Sequence, residues 1–195
     1  MLEGQLGWTS GEFGTFTGAY SFLNVFLLMI IWGGLILDKF GIRFTGIMAA
    51  VLMVVGTAAE YLAITQCGGT SQILFGMKFD VLLASAGYSV FGVGAEVAGI
   101  TVTKIIAKWF QGKEMALAMG VQVALARIGS QAAYAVAIPV AKSCGIEMPL
   151  FIGACLLLGG LISFLVFALM DRKLDTQVKM ADTSAEEDKF SFNDV

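Results

Sequence analysis

The chain has 195 residues and a formal net charge of −3, and 57% of its residues are hydrophobic while only 14% are charged. Soluble domains average about 45–50% apolar and about 25% charged residues, so this composition excludes an ordinary soluble globular protein and indicates an integral membrane chain. The sequence contains no His, which removes the commonest metal ligand and proton shuttle.

A polar lead precedes the first apolar stretch. Residues 1–14 contain no basic segment ahead of an apolar run and no small-residue cleavage site, so they do not form a signal peptide. A membrane-crossing helix needs about 20 predominantly apolar residues. Five stretches meet this requirement: 16–37, 42–64, 81–103, 115–141 and 148–170. The sequence therefore predicts an all-α polytopic membrane helix bundle over residues 15–170, with residues 1–14 as an extracytoplasmic lead.

The first predicted helix carries two polar side chains. Tyr20 and Asn24 are four residues apart and therefore share one face of the helix. They can offer uncharged hydrogen bonds to a solute. A packing Tyr and an amide that bonds to a neighbouring helix explain the same pair equally well.

A short charged segment, GLILDKFGIR at 34–43, joins the first two predicted helices. Gly34 permits close packing and Gly41 permits a tight turn. Asp38 lies near a helix C-terminus, where a negative charge is disfavoured unless a cation answers it, and Lys39 or Arg43 can supply that cation. An ordinary charged interfacial loop also explains the charges alone.

Two opposite charges occur inside the third and fourth predicted helices. Glu96 is twelve residues from Lys108, about 18 Å along a helix, and Arg127 is fourteen residues from Lys113, about 21 Å. Both therefore lie near the midplane of a hydrocarbon core about 30 Å thick. Charges at this depth are costly and usually functional.

Each of these charges belongs to a polar stripe. Helical spacing places Arg127 on one face with Gln131 and Tyr134, and Glu96 on one face with Tyr88 and Gly92. Lipid would not tolerate such stripes, whereas a water-filled cavity would. Two interpretations remain open at this point. The unlike charges hold the two ends of a zwitterionic solute, or they form a structural ion pair.

The final segment differs from the rest of the chain. Residues 171–195 are polar and mixed in charge, which predicts a disordered acidic linker. Orientation follows from the positive-inside rule. Nine of the twelve Lys and Arg residues fall between the first and second helices, between the third and fourth, or after the fifth. The linker is therefore predicted to be cytoplasmic and the N-terminus extracytoplasmic.

Segment 34–43 resembles the cytoplasmic loop signature of the major facilitator superfamily, G-x-L-x-D-R-x-G-x-R/K, found between the second and third of twelve helices. Ile36 replaces the Leu and Lys39 replaces the first Arg, while the other key positions match. The resemblance implies a partial major facilitator fold whose five helices correspond to helices two to six. Segment 34–43 is then the conformational loop, and the remainder of the transporter is the expected partner of this bundle.

Four further segments narrow the resemblance: YSFLNV at 20–25, FGVGAE at 91–96, WFQGKE at 109–114 and ARIGS at 126–130. They are similar to the family of the lysosomal dipeptide transporter called major facilitator superfamily domain-containing protein one and its bacterial relatives. The resemblance implies that Glu96 and Arg127 hold the amino and carboxyl ends of a dipeptide. Tyr20, Asn24, Gln131 and Tyr134 complete the predicted binding set.

One position departs from the superfamily pattern. Many members carry an Arg where this chain has Tyr88, in an R-x-x-x-G arrangement of which only Gly92 remains. That Arg is tied to proton coupling in several members. Its replacement favours facilitated passage down a gradient over proton-driven transport, although Glu96 itself can carry a proton.

The sequence as a whole predicts part of a secondary membrane transporter that moves dipeptides or similar zwitterionic solutes by alternating access. No phosphate-binding loop, metal cluster or nucleophile with a base occurs, so we expect no enzyme activity, no cofactor and no nucleic-acid partner. The alternatives are a non-transporting membrane scaffold or assembly subunit, and a carrier of another organic solute. The protein is expected in the cell membrane of a bacterium or the lysosomal membrane of a eukaryote.

Overall fold

A computed structural model of the chain describes residues 7–26, 29–68, 73–74, 76–110 and 113–190. Within that part, five helices and one hairpin follow one another: α1 (Ser10–Phe26), α2 (Met29–Gln66), β1 (Ile73–Leu74), β2 (Met77–Lys78), α3 (Phe79–Trp109), α4 (Lys113–Cys144) and α5 (Met148–Phe190). Four helical segments of the described chain are long and apolar enough to cross a membrane: Ile31–Gln66, Phe79–Trp109, Glu114–Cys144 and Met148–Gln177. The predicted all-α membrane bundle is confirmed.

Helix α1 begins earlier than the sequence interpretation placed it. The predicted lead runs to residue 14, and its first six residues lie outside the described part, but α1 starts at Ser10. The Thr9 hydroxyl accepts a hydrogen bond from the Glu12 backbone N–H at 3.2 Å, and the Glu12 carboxylate accepts one from the Thr9 backbone N–H at 2.7 Å. This reciprocal pair is a capping box. The Thr9 backbone bond also holds the pKa of Glu12 below its usual value.

The chain reverses direction at Gly41, inside α2. Gly41 has φ 79° and ψ 172°, a conformation that is essentially restricted to glycine. Before Gly41, contacts with α3 advance along that helix: Ala19 with Ser89, then Asp38 with Lys104. After Gly41 they return: Ala49 with Gly94, then Gly56 with Gly87. Residues 29–40 therefore continue the first predicted helix, and residues 42–66 form the second.

Glycines bring α2 and α3 into backbone contact. A Cβ atom placed on Gly87 would lie 2.7 Å from the carbonyl oxygen of Gly56, and one on Gly94 would lie 2.7 Å from that of Ala49. Small residues at such crossings let membrane helices approach closely, which strengthens their van der Waals packing. These two helices share the largest helix–helix contact of the described chain.

Helices α4 and α5 are both largely exposed in the described structure. Helix α5 lies along the second half of α2, from Tyr61 beside Phe151 to Arg43 beside Asp171. Neither the most apolar window of α4 nor that of α5 contains a buried residue. Helix α5 also continues past residue 170 to Phe190, so the predicted linker begins as helix. The cytoplasmic location of that segment stays a prediction.

The opposite end of the bundle contains Trp8, just before α1, and a small hairpin. Trp8 is buried against Ala63, Val81 and Ala84, and its indole N–H donates to the buried carboxylate of Asp80 at 2.9 Å. Strands β1 and β2 pair antiparallel just before α3. These contacts tie the start of α1 to the start of α3.

We expect Gly87→Ala to destabilise the protein, because the added methyl group would meet the fixed backbone of α2. Overpacking of this kind costs about 1–3 kcal/mol. Gly99→Ala is the matched control, since a Cβ atom on Gly99 meets nothing within 4 Å. The measurement is the apparent Tm of each purified variant in detergent. Equal Tm values for the two variants would contradict the close crossing.

Candidate functional site

The predicted acid Glu96 lies on α3 beside Tyr20 of α1. The Tyr20 hydroxyl donates a hydrogen bond to Oε1 of Glu96 at 3.4 Å, and both side chains are half-buried. No ion pair reaches Glu96 within the described part of the chain. Within the described chain, the hydrogen bond that reaches Glu96 is therefore one long bond from a neutral phenol.

Gly92 allows α1 to approach this part of α3. A Cβ atom on Gly92 would lie 2.8 Å from the carbonyl oxygen of Tyr20 and 3.1 Å from Nδ2 of Asn24. The Asn24 amide nitrogen donates to that same Tyr20 carbonyl at 3.0 Å, while its Oδ1 is buried without a hydrogen-bond partner. A buried polar atom without a partner is destabilising. Asn24 Oδ1 is thus a buried acceptor without a hydrogen-bond partner in the described chain.

Aromatic rings line the same α1–α3 interface. Tyr88, at the position where the sequence departs from the superfamily pattern, stacks on Phe16 with ring centroids 4.9 Å apart and lies 5.4 Å from Tyr20. Phe91 stacks on Tyr88 at 6.1 Å. The ring of Tyr88 therefore packs against other aromatic rings at the interface of α1 and α3.

The other predicted site residues lie on α4, and within the described chain no hydrogen bond or ion pair joins them to this group. Arg127, Gln131 and Tyr134 are all exposed, and Tyr134 is 75% exposed. Glu96 and Arg127 form no salt bridge with each other, although the structure describes both. The structure thus brings together the α1 and α3 members of the predicted set. It leaves the α4 members on an uncovered helix face.

Both Asp38 and Arg43 of the predicted loop motif form ion pairs that sequence spacing did not identify. Asp38 is paired with Lys104 of α3 at 2.5 Å. The expectation that Lys39 or Arg43 would answer Asp38 is wrong. Lys39 lies over the ring of Phe40, 5.5 Å from its centroid, and Arg43 is engaged elsewhere. Gly34 and Gly41 each leave open space where a Cβ atom would stand.

Arg43 belongs to a second group, which we call the charged cluster: Arg43, Lys108, Trp109, Asp171 and Asp175. Asp171 is fully buried and accepts from Arg43 Nε at 2.7 Å, Lys108 Nζ at 2.8 Å and the Trp109 indole N–H at 3.2 Å. Asp175 bonds to Lys108 at 2.9 Å and to Arg43. The cluster joins α2, α3 and α5 at one end of the bundle.

The sequence interpretation missed the two acids of this cluster. Asp171 and Asp175 were assigned to a disordered linker because of their polar surroundings. Their spacing of four residues places both on one face of a helix, which was the available signal. A helix that continues past the apolar stretch brings that face against Arg43 and Lys108.

Comparison with known proteins places the chain in a family. A model of the Major Facilitator Superfamily matches residues 1–192. The lysosomal dipeptide transporter MFSD1 of Homo sapiens is 33% identical over 112 residues, and that of Danio rerio is 32% identical over 115 residues. Each match covers 57% of this chain and 21% of the relative, so the matched region spans about a fifth of those relatives.

The family match agrees with the fold. It extends over almost the whole chain, and the helices it covers include the reversal at Gly41 and the charged residues around it. The predicted resemblance is confirmed, and with it the multi-pass membrane character of the protein. The chain belongs to the Major Facilitator Superfamily.

Proposed function

We propose that the chain forms part of a transporter that carries dipeptides and similar small zwitterionic solutes across a membrane by alternating access. One observation carries this proposal. Glu96 lies deep in a membrane helix, and its only hydrogen bond in the described structure is the 3.4 Å bond from Tyr20. A charge in this position is costly and usually functional. The amino end of a zwitterion supplies the missing cation.

Arg127 is the proposed partner for the carboxyl end of the solute. It lies about 21 Å along α4 from Lys113, a depth that matches Glu96 near the membrane midplane. Guanidinium groups bind carboxylates through two parallel hydrogen bonds. Gln131 and Tyr134 share its helix face and add neutral donors. Transporter sites form between repeats near the midplane, which is consistent with two groups on separate helix faces.

The relatives supply the solute class. They are named as lysosomal dipeptide transporters, and a dipeptide carries an amino group at one end and a carboxylate at the other. We propose facilitated passage for this chain, because Tyr88 replaces the Arg tied to proton coupling. The location is the cell membrane of a bacterium or the lysosomal membrane of a eukaryote. The protein acts as a carrier and not as an enzyme.

Uptake by reconstituted vesicles tests this proposal. The protein encoded by the complete native gene is placed in lipid vesicles, and entry of a labelled dipeptide is measured against empty vesicles. We expect saturable uptake, with competition by unlabelled dipeptide and none by a dipeptide that is both N-acetylated and amidated. Uptake no greater than that of empty vesicles would support the scaffold alternative. Equal competition by the doubly blocked dipeptide would point to another organic solute.

A further inference from the structure

Glu60 is a second carboxyl within the membrane helices, and the proposed site does not use it. It belongs to α2, in the half that follows Gly41, and its side chain is buried, with 5% exposed. It lies 18 residues beyond Ile42, about 27 Å along the helix, near the end of the hydrocarbon core predicted to face outward. Glu60 is thus far from the charged cluster.

Glu60 lines an apolar cleft of 340 Å³ between α2, α3 and α5. The remaining lining residues are Thr57, Tyr88, Phe91, Pro149, Leu150, Gly153, Leu156 and Leu157. The close contact of Gly56 with Gly87, one turn away, holds α2 and α3 together and fixes the position of Glu60. Helix α5 supplies most of the apolar cover.

No cation forms an ion pair with Glu60 in the described part of the chain. No hydrogen bond or ion pair reaches its carboxyl group there. Helix α3 contributes one titratable group to the cleft, the phenol of Tyr88, and α5 contributes none. The adjacent Tyr61 packs its ring against Phe151, and Asp80 of α3 accepts a hydrogen bond from Trp8.

Burial without a partner determines the chemical form of this carboxyl. An isolated ionised carboxylate in apolar surroundings is so unfavourable that the group takes up a proton instead. A neutral carboxylic acid fits the cleft, since it needs no counter-ion. Water entering the cleft would reverse this preference, because hydration stabilises the ionised form.

We propose that Glu60 is a proton-binding residue, which holds a proton while α5 covers it and releases that proton when the cleft admits water. On release, the O–H bond of the carboxyl group breaks and the proton passes to a water molecule in the cleft. Any equilibrium between covered and open packings of α5 then depends on pH. The inference goes beyond the proposed function and does not require that a proton cross the membrane with a solute.

Labelling with dicyclohexylcarbodiimide tests the inference. This apolar reagent adds to protonated carboxyl groups, and mass spectrometry of the complete purified protein in detergent identifies the modified residue. We expect Glu60 to be modified at neutral pH, and its labelling to fall about tenfold per pH unit once the carboxyl ionises. Glu114, an exposed acid in the first turn of α4, is the internal control and is expected to stay unmodified.

A second measurement covers the case in which the reagent cannot enter the cleft. The infrared difference spectrum between the native protein and Glu60→Gln should show the C=O stretch of a protonated acid at neutral pH, and Glu114→Gln should not. An ionised Glu60 at neutral pH in this spectrum would overturn the proposal, as would labelling that does not change with pH. Neither readout involves transport, so a failure here is distinct from a failure of the uptake assay.

Discussion

Glu96→Gln is expected to weaken binding of dipeptides with a free amino end by roughly 10- to 150-fold, the equivalent of a charge-assisted hydrogen bond of about 1.5–3 kcal/mol. The substitution keeps the volume of the side chain and its hydrogen bond with Tyr20, and removes only the charge. N-acetylated dipeptides should therefore bind the variant and the native protein almost equally. Arg127→Gln should show the converse selectivity, for free against amidated carboxyl ends.

Calorimetric titration of the complete protein with the four peptide forms measures these effects. Glu114→Gln and Lys142→Gln remove exposed charges of α4 and serve as matched controls, which should change no peptide affinity. Equal losses for free and blocked ends would contradict the assignment. If both Gln variants misfold and a double apolar replacement restores folding, the structural ion pair is the correct interpretation, formed in a packing other than the one described.

Asp171→Asn is expected to cause the largest loss of stability among the acids at the loop end of the bundle. Removing one partner of a buried ion pair costs about 3–5 kcal/mol, and we expect the lower end because Arg43 and Lys108 each stay about a third exposed. In the variant, Asp175 is the remaining carboxylate of the charged cluster that can pair with Arg43 and Lys108. Their positive charges then repel each other at the junction of three helices.

Two neighbouring acids provide graded controls for this experiment. The side chain of Asp175 is 42% exposed and that of Asp38 is 76% exposed, and each is paired with a cation. Exposed pairs contribute about 0–1 kcal/mol. The apparent Tm should therefore fall most in Asp171→Asn, less in Asp175→Asn and least in Asp38→Asn. A uniform decrease across the three variants would show that burial of Asp171 does not govern the stability of this end.

The helices were predictable because long apolar runs have few alternatives in a membrane. The reversal was also predictable, since Gly41 stands between two such runs. The start of α1 was missed because hydropathy does not detect a polar helix cap. Thr9 and Glu12 nevertheless have the spacing of a capping box. The hairpin before α3 was missed as well, since strands of two residues leave no periodic pattern.

The candidate site was predictable only for features that depend on the spacing of residues within a single helix. Tyr20 and Asn24 share a face of α1, and Glu96 has a definite depth, so their chemistry followed from spacing. The packing of the helices against one another did not follow from spacing. Asp38 forms an ion pair with Lys104, which is 66 residues away in the chain. The buried Asp171 forms ion pairs with cations from two other helices. Composition alone cannot distinguish such an acid from one in a solvated linker.

The reversal at Gly41 also constrains how the length of this protein can change. A single non-helical residue separates the two halves of α2, so no slack chain exists there to absorb an insertion. An extra residue in the following helix would turn its later side chains by about 100° and carry Gly56 away from Gly87. An insertion at Gly41 is therefore expected to disrupt the crossing of α2 and α3.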